Sequence, residues 1–194
     1  MNTATSGWNL VSLAEVPPAP WRNGGGSTRE LLAWPPAQHG QGKDWRVRLS
    51  VAEVEQDGPF SSFPGVRRWF AVLSGAGVAL RLDGAVHRLD AASAPFEFDG
   101  GAAVDCALVE GPTQDFNLMV RGGGGRMQRL NGVHSKTFNA PVLIAFFARG
   151  TCTKARFGNE TVEIPPQTLA WRTMERGVPV EATGQDALWM EIPL

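Results

Sequence analysis

The stretch WRVRLSV, residues 45–51, decides how this chain folds. Trp45, Val47, Leu49 and Val51 alternate with Arg46, Arg48 and Ser50. A period of two places the apolar set on one face and the polar set on the other, as in a half-buried strand. Outward from it, similar short segments recur at 66–73, 77–83, 86–89, 96–98, 104–110 and 115–121. After a break they resume at 142–148, 152–157, 161–164, 168–172, 178–182 and 187–192. Turn chemistry such as DGPFSSFPG and EGPT separates them. No segment shows a sustained helical period with caps, although STRELLAW (27–34) has helix-forming residues for one turn before Pro35 and Pro36 stop it. The expected fold class is all-β, a sandwich or barrel.

The run RGGGGR (121–126) is the most linker-like point, because four glycines are costly to hold in a fixed strand. It divides the chain into two β units, 1–125 and 126–194. The second is small for a barrel of its own, and an N-terminal strand near Trp8 to Val11 is available to complete it.

Composition removes several function classes. The 194 residues carry 18 basic and 19 acidic side chains, so no net charge draws the chain to nucleic acid or to anionic lipid. The longest apolar run, PVLIAFFA (141–148), is too short to span a bilayer as a helix, and the N-terminus has no basic-then-apolar signal pattern. The expected location is the cytoplasm, with no membrane or nucleic-acid partner. The two cysteines, Cys106 and Cys152, fit no metal or disulfide spacing and are expected to be buried thiols.

The three histidines, His39, His87 and His134, stand far apart without metal-ligand spacing, so neither metal nor cofactor is expected. His134 is expected in a loop, and His87 on a strand surface or packed, with a role as a lone base as the alternative. Gly24-Gly25-Gly26 lacks the lysine of a phosphate loop, and no GxSxG elbow exists.

Several fragments together, PWRNGGGSTRE (20–30), VRLSVAEVEQDGPFSSFPGVRR (47–68), LSGAG (73–77), PFEFDG (95–100) and GPTQDFNLMVR (111–121), resemble the HutD/Ves family. The resemblance implies a bicupin, two small β-barrels in one chain, with a link to histidine utilisation and a small-molecule-binding, regulatory role. The family often carries Trp where this chain has Val47 and an acid where it has Arg67. Either departure is expected to retune the ligand.

A small barrel holds a ligand at its mouth when inward residues are polar and convergent. Cupins normally place metal-binding histidines there, and this chain has none to offer. Arg48 and Ser50 share a strand face, and Asn117 projects opposite the apolar face of 115–121. These groups suit a carboxylated metabolite, since guanidinium presents a rigid pair of donors to a carboxylate.

Arg48 is thus expected to pair the carboxylate, with Arg68 assisting. Asn23, Ser50 and Asn117 hydrogen-bond the remainder, while Trp21 and Phe63 wall the pocket. Gly25, Thr28 and Glu30 are presented at the mouth by the glycine triplet, and Ser61 reaches in from the following loop. The plainer alternative makes Gly24–Gly26 a β-bulge and Glu30–Arg48 an ordinary ion pair. Histidine-breakdown intermediates, urocanate or formylglutamate, are the ligands that the family link suggests. Two rival functions stand beside this one: a metal-free isomerase or hydrolase using Glu30 or His87 as general base, and an interaction module whose strand edge pairs with a partner or a second copy in a homodimer.

Overall fold

The structure, a computed structural model, describes residues 7–36 and 45–194, so His39 lies outside the described residues. Strands dominate, and among the described residues the one helical element is a single 3-10 turn, Leu13–Glu15. The chain divides into two compact units. The first strand, β1 (Asn9–Ser12), belongs to the second unit and is described with it.

Among its described residues the unit spanning Val16–Gly124 contains ten strands: β2 (Ala19–Pro20), β3 (Gly26–Trp34), β4 (Val47–Val54), β5 (Gly58–Pro59), β6 (Val66–Ser74), β7 (Val78–Leu82), β8 (Ala85–Leu89), β9 (Phe96–Asp99), β10 (Val104–Leu108) and β11 (Thr113–Arg121). They form an antiparallel six-stranded sheet, β2-β3-β4-β11-β6-β9, and a four-stranded sheet, β5-β10-β7-β8. One buried cluster joins them: Ala52, Val54, Phe70, Val72 and Phe98 from the larger sheet meet Val78, Leu80, Val104 and Cys106 from the smaller. Alternation of small and large apolar side chains lets two such faces interdigitate. The opposite set of the larger sheet, including Val47, Leu49, Phe116 and Leu118, is fully buried too. The strand read at 45–51 is therefore covered on both faces, and Ser50 is buried along with its apolar neighbours.

The second unit gathers the described residues before Val16 with Gly125–Leu194. Its strands are β1, β12 (Arg126–Thr137), β13 (Val142–Ala148), β14 (Thr153–Phe157), β15 (Glu160–Ile164), β16 (Thr168–Met174) and β17 (Pro179–Pro193). They make one seven-stranded antiparallel sheet in which β1 pairs with β16. Through this pairing β1, which covers most of the Trp8–Val11 stretch, completes the second unit. The apolar run VLIAFFA is β13, held between β16 and β17 with every residue buried.

Three sequence expectations are corrected. STRELLAW is no helical turn but the body of β3, paired along its length with β4 apart from a register shift between Glu30 and Leu32. Cross-strand pairing overrides the helix propensity of Glu-Leu-Leu-Ala. The residues after the glycine run form β12, the partner of β17, which places His134 on a strand beside Ala182 instead of in a loop. The segments at 178–182 and 187–192 merge into β17, with Asp186 at φ +57° where the pairing with β12 shifts register.

Candidate functional site

The inward face of the six-stranded sheet is set by register. Arg48 on β4, Met119 on β11 and Arg68 on β6 are cross-strand neighbours in one row, and Ser50, Asn117 and Phe70 form the next. Deeper along the same strands, Ala52 and Val72 flank Asp115, and the apolar core closes the space. Between core and solvent lies a cavity of about 530 Å³.

Arg68 is the buried cation of this cavity, only 6% exposed. Its Nε and Nη2 both donate to Asn117 Oδ1, at 2.9 and 2.7 Å. The guanidinium lies 4.4 Å from the Phe60 ring centre, 5.3 Å from that of Phe98 and 6.0 Å from that of Phe70. These ring faces supply favourable but incomplete compensation for a desolvated charge. Burial above all, then the nearby charge of Arg48, lowers its pKa to about 10, which keeps it protonated at neutral pH. No carboxylate stands within ion-pair distance of it among the described residues.

Arg48 differs. Its Nε donates to Glu30 Oε2 at 2.6 Å, and Nη1 lies 3.9 Å from the Met119 sulfur. The Arg48 side chain is 18% exposed and that of Glu30 48%. The carboxylate-pairing role expected of Arg48 is thus already filled by Glu30, whereas Arg68 is open. Arg22, which the sequence reading missed, lines the rim as a third and exposed arginine.

The glycine triplet builds a tight corner. Trp21 N–H donates to Gly26 O at 2.9 Å and Gly24 N–H to Trp21 O at 3.0 Å. Gly25 N–H donates to Asn23 Oδ1 at 3.1 Å. Gly24 has φ +71°, and a Cβ on Gly26 would lie 2.0 Å from Glu53 O. Only glycine permits that approach. The corner carries Trp21, Arg22 and Asn23 to the cavity wall, with the indole Nε1 of Trp21 fixed on Thr28 Oγ1 at 2.7 Å.

Of the residues singled out from sequence, Trp21, Asn23, Thr28, Arg48, Ser50, Ser61, Phe63, Arg68 and Asn117 line this cavity. Gly25 does not; it is buried in the corner and accepts from Glu55 N–H at 2.9 Å. Glu30 is absent from the wall and meets it only through Arg48. His87, the other candidate base, sits on β8 with its ring 4.4 Å from that of Phe96, away from the wall. Sequence reasoning overlooked Phe60, Phe70 and Met119. The first could have been suspected from its place beside Ser61 in DGPFSSFPG.

Val47 is buried on the face turned from the cavity, and Arg67 is exposed and paired with Glu97 at 3.2 Å. Neither lines the cavity, so the expectation that these departures retune its ligand is withdrawn.

Beneath the cavity Asp115 is fully buried. Thr113 Oγ1 donates to its Oδ2 at 2.7 Å, while Oδ1 has no hydrogen-bond partner. Burial pushes its carboxyl up to about 7, with the Thr113 hydrogen bond and the charge of Arg68 pulling the other way. Burial, with the neighbouring Asp115 and Asp57, likewise raises the Cys106 thiol to about 12. Cys152 is exposed, contrary to the expectation of two buried thiols.

Among the described residues no group of three or more His, Cys, Asp and Glu side chains is placed to hold a metal. Nor, among the described residues, is any helix long and apolar enough to cross a membrane. In the second unit, Glu191 takes a 2.7 Å hydrogen bond from Trp189 Nε1 on one oxygen and pairs Lys136 on the other, which leaves that polar cluster internally satisfied.

The HutD family model matches residues 13–190. The chain belongs to the HutD family. A 21.2 kDa uncharacterised protein from the hutC 3′ region of Pseudomonas putida is 33% identical over 154 residues, 78% of this chain and 79% of that one. Protein Ves of Citrobacter koseri is 37% identical over 110 residues, 56% of each chain. HutD from Pseudomonas fluorescens SBW25, solved in a formate condition, superposes with a TM-score of 0.79 at 28% identity, covering 96% of this chain and 98% of that one. The conserved protein of unknown function PA5104 from Pseudomonas aeruginosa PAO1 gives 0.80 at 28%, covering 95% and 96%. Ylba of Escherichia coli shares the fold alone, with a TM-score of 0.69 at 9% identity over 96% and 90% of the chains. The chain is therefore a member of the HutD family with a cupin-like fold.

Proposed function

We propose that the cavity of the first unit binds a small organic acid, and that Arg68 holds its carboxylate. The carrying observation is the charge pattern of the wall: three arginines and no acidic side chain, with the most buried of the three lacking an anionic partner. A guanidinium enclosed by phenyl rings and held by one amide oxygen keeps donor hydrogens for an incoming carboxylate. Asn117 orients it, Ser50 and Asn23 offer further hydrogen bonds, and Trp21, Phe60 and Phe63 flank a planar or apolar ligand body.

The wall includes no histidine, thiol or carboxylate, so this recognition works without a metal. Neither Glu30 nor His87 is on the wall, which supports binding over general-base catalysis. Given the family's association with histidine utilisation, urocanate and formylglutamate are the first ligands to try, and sensing is the role such binding would serve. Each charge-assisted bond is worth about 1.5–3 kcal/mol, so loss of two weakens binding at least about 100-fold. Calorimetric titration of both acids into wild type and Arg68→Met tests the reading. Equal affinity in the two proteins refutes it.

A further inference from the structure

The two inner arginines are neighbours on one face, two strands and therefore roughly 10 Å apart at the backbone, yet they present different electrostatics. Arg68 is enclosed and has no carboxylate within ion-pair distance among the described residues. Arg48 is held at 2.6 Å by Glu30, a residue outside the wall. Arg22 stands at the exposed rim, where water screens its charge. One end of the cavity is thus cationic and the other carries a compensated pair.

Resting on the proposed binding of an organic acid, we propose that Glu30 is a selectivity residue. By neutralising Arg48 it makes that end unfavourable for a second negative charge. The preferred ligand has one carboxylate, at Arg68, and an uncharged hydrogen-bonding group at the Arg48–Glu30 end, a pattern that urocanate fits and the dicarboxylate formylglutamate does not. A dianion reaching both ends must either displace Glu30 from Arg48 or sit beside its carboxylate, and both choices cost affinity. A neutral amide or heterocycle meets no such cost and still finds Arg48 N–H donors and Ser50.

The test uses an isosteric pair that differs by one charge, glutarate and its monoamide glutaramate. They are titrated calorimetrically at low ionic strength and one fixed pH near 6.5, so that the charge state of Asp115 is common to both probes. Wild type is expected to bind the monoamide at least as tightly as the diacid. In Glu30→Gln the diacid gains about fivefold to tenfold relative to the monoamide, the size expected of one added charge at several ångströms in a partly hydrated site. In Glu30→Gln/Arg48→Gln the original ratio returns, which a purely steric role for Glu30 would not produce. An unchanged ratio in the single variant, or a ratio that fails to revert in the double, overturns the inference while leaving the cavity reading intact if Arg68→Met still abolishes binding. Failure of both probes to bind wild type, or binding indifferent to Arg68→Met, overturns the two together.

Discussion

Replacing Asp115 by asparagine should change how stability depends on pH, with little change at the acidic end. The carboxyl is fully buried and its folded-state pKa stands at about 7 against an ordinary 3.8. A raised carboxylate pKa means the folded state holds its proton longer than the unfolded chain does. The stability linked to that proton is complete below pH 3.8 and is lost as pH rises through about 7. Three units correspond to a ceiling of about 4 kcal/mol, of which about 2–3 kcal/mol falls between pH 5 and pH 8. Asparagine has the same shape, keeps an oxygen for Thr113 and does not titrate. Urea midpoints at several pH values in that range therefore should show the variant gaining on wild type by roughly that amount as pH rises. Parallel profiles would show that Asp115 ionises at its ordinary pKa, through hydration or closer pairing with Arg68, and the account of a dry carboxyl would fail.

Other expectations follow from the same geometry. Gly26→Ala should cost about 3 kcal/mol or more in urea unfolding, because the added methyl meets Glu53 O at 2.0 Å. Gly24→Ala, with open space around it but φ +71°, should cost only about 1 kcal/mol; equal costs would contradict the described corner. A thiol reagent at neutral pH should modify the exposed Cys152 and spare Cys106 until the protein is unfolded, and rapid labelling of both would contradict the burial of Cys106. Glu30→Gln should raise the diacid-to-monoamide affinity ratio about fivefold to tenfold, as set out above.

Much of the fold was legible because period-two patterning records which face of a strand is covered. Residues 45–51 and 115–121 carry that record, in the strands that hold Arg48 and Asn117. It failed where neighbours distant in sequence decide the outcome. In β3 the residues Glu-Leu-Leu-Ala have helical preference, and the shift between Glu30 and Leu32 breaks the alternation that would have disclosed a strand. In β12 the shift near Gly132 does the same. The cavity was partly legible, since polar residues at alternate positions on β4 and β11 announced an inward polar face. From sequence, Arg48 ranks ahead of Arg68, because it alternates with apolar neighbours whereas Arg68 follows Arg67 directly. What distinguishes them in the structure is Phe60, carried in by a loop to cover Arg68, and Glu30, brought by β3 to neutralise Arg48. Arg22 was missed because a turn and not a strand places it on the rim.

The central claim is settled most directly by a structure of the protein with urocanate bound. The account predicts ligand carboxylate oxygens within about 3 Å of the Arg68 guanidinium nitrogens, between the rings of Phe60 and Trp21. A ligand whose carboxylate rests at Arg22 in solvent, or outside this cavity altogether, with Arg68 still bound only to Asn117, would contradict it.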